Sequence, residues 1–242
     1  MPRWEVPGWR ERFGISAGIT GRGEDPADPF DLGLWTSQPV AKVMERWRQF
    51  RSTFPPDSSF VMAHQVHGTA VRWHDRAPAS GGWTILEGLD GHATDTPGLI
   101  LLVTVADCVP VYVAAPEHGV VALLHAGWRG TAGRILEQGI QRIREACGAN
   151  ADETVMHCGV AISGPCYEVG SEVTSAVGIP TTAPAKQHLD LRSILAEQGR
   201  QLGIGEVTVS GHCTAVESRS FFSHRRSGGS DGRMIAWLGI ER

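Results

Sequence analysis

No stretch of this sequence is long and apolar enough to suggest a membrane span. The longest apolar run, Leu99 to Ala115, is interrupted by Asp107 and Pro110, and a bilayer needs ~20 predominantly apolar residues. The first eight residues, Met1 to Gly8, also lack an apolar core of signal-peptide length. Charge of one sign is not in excess. The net charge of −4 removes the electrostatic motive for nucleic acid or an anionic membrane as partner. Five cysteines without framework spacing argue against a disulfide scaffold and for a reducing compartment. A soluble, cytoplasmic protein is expected. Low-complexity linkers and internal repeats are missing, so the 242 residues are read as a single domain, 1–242, long enough to bury a sizeable core. Nor do strands and helices alternate regularly enough for a Rossmann or TIM topology.

What is present is a series of apolar runs, each stopped by a short polar or Gly-containing segment. Phe60 to Ala63 opens a strand that ends at Gln65-Val66-His67-Gly68, with Val71-Arg72-Trp73 as its expected partner. Leu99 to Val105, Val111 to Val113, Val120 to Leu124 and Val207 to Val209 read as further strands. Runs of this kind suit strands covered on both faces. Helices are expected over Pro39–Phe50, over Thr131–Cys147, where Ile135, Leu136, Ile140 and Ile143 form one stripe, and over Leu191–Leu202. The fold class is therefore α/β of the α+β kind. Eight to twelve strands in mixed sheets and a few flanking helices are expected.

His67, Cys108 and His125 each lie where an apolar strand stops, forty-one and seventeen residues apart. That spacing rules out a local zinc finger and requires a site assembled by the fold. Taken singly, each reads more readily as a packing residue. Gly68, Gly127 and Gly130 beside the histidines favour a ligand site, because glycine lets backbone pass close to a bound group. Two imidazoles and a thiolate suit Zn²⁺, with Cu²⁺ as the lesser fit, and three protein ligands leave a fourth tetrahedral position open. Asp107 could hydrogen-bond an imidazole from behind or cap a turn. The segment His125-Ala126-Gly127-Trp128-Arg129-Gly130-Thr131 leads from strand into helix, where free N–H groups bind anions. Arg129 adds a guanidinium fork.

Several segments together resemble the multicopper-oxidase-type laccase-domain family, also called the purine nucleoside phosphorylase family of that domain. They are His64 to Gly68, Leu89 to Thr94, Thr104 to Pro110, His125 to Gly130, Ala161 to Gly170, Asp190-Leu191, Cys213-Thr214, Phe221 to Arg226 and Gly232-Arg233. The order matches throughout, and the likeness runs over nearly the whole chain after Ser16. The resemblance implies zinc at His67, Cys108 and His125, and a compact α/β sandwich. It also implies purine nucleosides and phosphate as small-molecule partners, in a monomer or homodimer. The implied reactions are phosphorolysis of adenosine, inosine, guanosine and methylthioadenosine, and hydrolytic deamination of adenosine.

Phosphorolysis needs an anion pocket and a proton donor to the leaving base; Arg129 with the 127–131 backbone is the candidate pocket. His64 reads as a surface residue beside the site, Asp90 and Thr94 as a turn, and Tyr167 as a surface for a stacked base. Arg225, Arg226 and Arg233 read first as a solvated basic face outside the catalytic set, with substrate anions or pairs with Asp231 and Glu217 as the alternatives. Cys147, Cys158 and Cys213 are assigned to the core. Two other readings stand beside the zinc enzyme. One is a metal-free cysteine hydrolase with Cys108 as nucleophile and His125 as base. The other is a copper phenol oxidase, disfavoured by only ten histidines and no His-x-His pair.

Overall fold

The computed structural model describes residues 1–36, 38–78, 81–180 and 186–242. Two six-stranded sheets stack face to face. In the first, the order is β1 (Arg3–Glu5), β2 (Ile15–Thr20), β14 (Met234–Ile240), β7 (Leu99–Val105), β3 (Ser59–His64) and β5 (Trp83–Glu87). In the second it is β13 (Glu206–Val209), β10 (Val155–Cys158), β8 (Val109–Ala115), β9 (Val120–Ala126), β6 (Gly91–Thr94) and β4 (Val71–His74). A small ribbon pairs β11 (Glu168–Val169) with β12 (Gln187–His188). Both large sheets mix parallel and antiparallel pairs, as expected. Strands from both ends of the chain interleave in the first sheet.

The alternation of side chains explains the layering. On β8 and β9, Val111, Val113, Ala122 and Leu124 face one core, which α4 (Ile135–Cys147) and α6 (Leu191–Gln201) cover with Ile135, Leu136, Ile143 and Leu195. Their neighbours Tyr112, Ala114, Val121 and Leu123 face the other way and meet Leu101, Val103, Ala236 and Leu238 of the first sheet. The outer face of that sheet is closed by α2 (Val40–Arg51), whose Val43, Trp47 and Phe50 pack on Phe60, Met62, Leu102 and Trp237. Both faces of the central strands are thus dry, and this is why their sequences are near-continuous apolar runs. The remaining helices are short: α1 (Trp9–Phe13), α3 (Trp128–Ala132), α5 (Ser171–Ala176) and α7 (His224–Ser227).

Three expectations need correction. Val71 to Trp73 does not pair with β3. It lies in β4, which pairs parallel with β6 in the opposite sheet; an apolar triplet carries no record of which sheet it joins. The helix expected over Thr131–Cys147 is two helices, α3 and α4, parted where Arg134 takes φ 62°. The apolar stripe continues across that break, so periodicity alone does not reveal it. Finally, fourteen strands are present among the described residues, above the expected range, because strands of two or three residues leave no apolar period to read. The helices at α2 and α6 match their expected spans within a residue or two at either end.

Candidate metal centre and pocket

Topology brings the three predicted ligands together. Strands β3 and β7 run parallel, so the loops after His64 and Val105 emerge at the same end of the first sheet. The β8–β9 register pairs Val109 with Ala126 and Pro110 with His125, which sets Cys108 beside the end of β9. The potential ligand atoms of His67, Cys108 and His125 all lie within 4.8 Å of one another. Tetrahedral zinc with bonds of ~2.0–2.3 Å places its ligand atoms roughly 3.3–3.6 Å apart, so a small inward movement around an ion satisfies all three. His125 is buried and Cys108 half-buried, while His67 is exposed on the pocket side. The two imidazoles stand nearly perpendicular, centroids 4.9 Å apart.

Each candidate ligand is held by its own hydrogen bonds or backbone turn. His67 sits at φ 59°, a left-handed conformation that disfavours a side chain by about 1–2 kcal/mol. The Asp90 carboxylate holds it there. This carboxylate, fully buried, accepts hydrogen bonds from the backbone N–H groups of Val66 (3.2 Å), His67 (3.0 Å) and Gly68 (2.7 Å). The same carboxylate lies 2.8 Å from Nδ1 of His125, which leaves Nε2 of that ring to face the centre. Gln65 anchors the loop from its other side: its amide donates to the Thr104 carbonyl and accepts from the Thr104 N–H and hydroxyl. Cys108 follows Asp107, itself at φ 88°. Asp107 is fixed by the Thr214 hydroxyl (2.6 Å) and the Arg225 N–H (2.6 Å) on its carboxylate. Residues in such conformations persist only where surrounding bonds over-determine them, and they gather at functional sites.

Electrostatics favours a thiolate at this point. Burial would lift the Cys108 thiol, but the charge on His125 and hydrogen bonds from both imidazoles outweigh it and bring it down to about 6. For His125, burial acts to lower the pKa, yet the Cys108 charge and the Asp90 hydrogen bond hold it up at about 9. A thiolate facing a protonated imidazole is the arrangement a divalent cation takes over by displacing the proton. The third feature is space. A Cβ on Gly127 would stand 3.1 Å from Cys108 Sγ and 3.3 Å from His67 Cδ2, so the chain passes closely over the ligands there, as expected from the sequence.

The three residues lie in a pocket of about 470 Å³, whose walls include Trp35, His64, Arg129, Tyr167, Arg225 and Arg233. Its one carboxylate, Asp107, is already committed to Thr214 and Arg225, so the open space is cationic. Arg129 reaches the pocket with its guanidinium 4.2 Å from the Trp128 ring centroid and has no carboxylate partner among the described residues. The helix behind it, α3, is a single turn. A helix this short carries little macrodipole, so an anion there would rest on Arg129 and the backbone N–H groups expected from the sequence.

The chain matches the family described as multi-copper polyphenol oxidoreductase laccase over residues 12–241. It belongs to that family. Among curated relatives, it is 32% identical over 248 residues to "Purine nucleoside phosphorylase YlmD" of Geobacillus stearothermophilus, covering 93% of this chain and 90% of that one. It is 37% identical over 169 residues, 63% of each chain, to "Adenosine deaminase RL5" from an unknown prokaryotic organism. The crystal structure of YlmD from Geobacillus stearothermophilus superposes with a TM-score of 0.88 at 28% identity, over 100% of this chain and 97% of that one.

Other expectations fare unevenly within this laccase-type fold. His64 is exposed and paired with Glu87 at 3.1 Å, yet it also forms part of the pocket rim, 4.8 Å from the Trp35 ring. Tyr167 reaches the pocket, but the Arg225 guanidinium covers one face of its ring at 4.8 Å and the ring also packs against the core. Arg226 is outside the pocket and donates to the Ala215 carbonyl. Asp231 pairs with Arg22, and Glu217 with His212, so the expected arginine pairs do not form. Asp107 bonds no imidazole; the carboxylate behind His125 is Asp90, which together with Thr94 was expected to make a turn. Thr94 is instead in β6. Cys158 and Cys213 are buried and Cys147 half-buried; Cys213 Sγ also accepts from the Ser163 hydroxyl and N–H. Sequence reasoning missed Trp35, Gln65 and Asp90. None of the three had a local signal in pattern or spacing; the strand after Asp90 is the polar Gly91–Thr94.

Proposed function

We propose that this protein is a zinc-dependent purine nucleoside enzyme. It would carry out phosphorolysis of adenosine, inosine, guanosine and methylthioadenosine, and hydrolytic deamination of adenosine. The observation that carries the reading is the convergence of His67, Cys108 and His125 in a cationic pocket of about 470 Å³, a size suited to a small-molecule ligand. The names of the relatives, a purine nucleoside phosphorylase and an adenosine deaminase, supply the substrate class. One thiolate and two imidazoles are a donor set suited to zinc, and a zinc ion with an open position supplies Lewis-acid activation of water or substrate. Arg129 binds phosphate at the mouth. Tyr167, on the pocket wall, borders the purine. Trp35 and His64 form the opposite rim and limit water entry.

The test is metal analysis of the purified protein, followed by adenosine with and without phosphate and with a chelator. Adenine formed only with phosphate, inosine formed without it, and loss of both after chelation are expected. Full activity in metal-free protein would instead establish the cysteine hydrolase reading, which the lowered Cys108 thiol and its His125 neighbour favour. The copper oxidase reading is the weaker one, because the described residues hold a single such three-ligand group and electron relay between coppers needs more than one.

A further inference from the structure

Among the described residues, Asp90 is the one side chain that hydrogen-bonds both imidazole-bearing segments, and it is not in the candidate ligand group. It stands at the start of β6, anchored by its own N–H to the Ala70 carbonyl, while its carbonyl accepts the His125 N–H at 2.7 Å. Oδ1 takes the His67 N–H and His125 Nδ1; Oδ2 takes the Val66 and Gly68 N–H groups. A carboxylate offers about four lone-pair sites, and four donors occupy them. Among the described residues no other side chain hydrogen-bonds both the exposed loop after β3 and the buried end of β9. Without this carboxylate, three N–H groups would lack acceptors, and His125 would lose the bond that selects which ring nitrogen faces the centre.

We propose that Asp90 is a positioning residue that sets both histidines for the metal at once, fixing the His125 tautomer and the left-handed backbone at His67. This rests on the metal reading of the site above. The consequence is specific. In Asp90→Asn the single amide oxygen can satisfy one pair of donors, and the amide NH₂ must then point at the other pair. With the NH₂ toward Val66 and Gly68 only the backbone around His67 is disturbed; with the NH₂ toward the His67 N–H and His125 Nδ1 both histidines are. Asp90→Glu keeps the charge and both oxygens but moves them by a methylene, so it restores part of what Asn loses.

The measurement is zinc affinity by competition with a chromophoric chelator, together with the visible spectrum of the cobalt-substituted protein. Asp90→Asn is expected to weaken zinc binding about 10–100-fold and to alter the cobalt ligand-field bands, with Asp90→Glu intermediate in both. Wild-type affinity and spectrum in a folded Asp90→Asn protein would overturn the proposal, even if turnover fell. Should Asp90→Asn not fold, the wild-type zinc-loaded protein decides by ¹⁵N magnetic resonance. The proposal requires a protonated Nδ1 and a metal-bound Nε2 on His125, and the reverse assignment overturns it. A wild-type protein that binds no zinc overturns the metal reading itself, and with it this role.

Discussion

Arg129 and Gly127 are two residues apart and do different work, which lets their effects be separated. A charge-assisted hydrogen bond to an anion is worth about 1.5–3 kcal/mol, a factor of roughly 10–100 in binding. Arg129→Ala is therefore expected to raise the KM for phosphate by about that factor while sparing adenosine deamination, which uses no phosphate. Steady-state kinetics with phosphate varied will show it, and an unchanged phosphate dependence removes Arg129 from the site. Gly127 has φ −78° and ψ −179°, open to any residue, so alanine there acts only through its Cβ near Cys108 and His67. Gly127→Ala should weaken zinc binding about tenfold, since sites tolerate displacements of only ~0.5 Å. Its melting temperature should stay close to the parent's. Elemental analysis alongside calorimetry distinguishes this from general destabilisation.

The break between α3 and α4 is an element-scale feature with its own test. Arg134 holds φ 62°, where glycine is at ease and other residues lose about 1–2 kcal/mol. Its side chain contributes an exposed ion pair with Glu137, worth about 0.2–1 kcal/mol. Arg134→Gly should therefore leave the protein as stable or raise its melting temperature by a few degrees, at roughly 2–4 °C per kcal/mol. A fall of more than that in thermal melts would mean the chain is not strained there. The break itself matters to the site, because it lets the Trp128–Arg129 turn face the pocket while α4 turns to cover β8 and β9.

At the scale of the whole molecule, three histidines outside the pocket are built into the interior as neutral groups. Burial holds His92 down to about 3, and His74 and His157 down to about 4. The unfolded chain takes up their protons near pH ~6.5, whereas the folded one does not until far lower. Stability from these groups is thus complete above that pH and falls as the solution is acidified toward 4, by up to ~1.4 kcal/mol per pH unit for each. Urea unfolding at pH 7.5 and pH 5.0 should show a clear loss, and His157→Gln should flatten part of the slope. A pH-independent midpoint contradicts the burial described. Among the described residues no helix is long and apolar enough to cross a membrane, in line with the interrupted run Leu99 to Ala115.

The amino-acid sequence by itself determined the central strands, the helices α2 and α6, and which three residues make up the candidate ligand group. These follow from local rules: apolar runs stop where loops carry reactive groups, and His67, Cys108 and His125 each mark such a stop. Only the tertiary structure decided how those stops meet. Pairing of β4 with β6, the short strands, the Arg134 break and the fourfold-bonded Asp90 all depend on partners far along the chain, and a hydrogen bond across twenty-odd residues has no periodicity to betray it. The arginines illustrate the same divide. Their charge is written in the sequence, but whether each faces the pocket, a carboxylate or a carbonyl is set by packing.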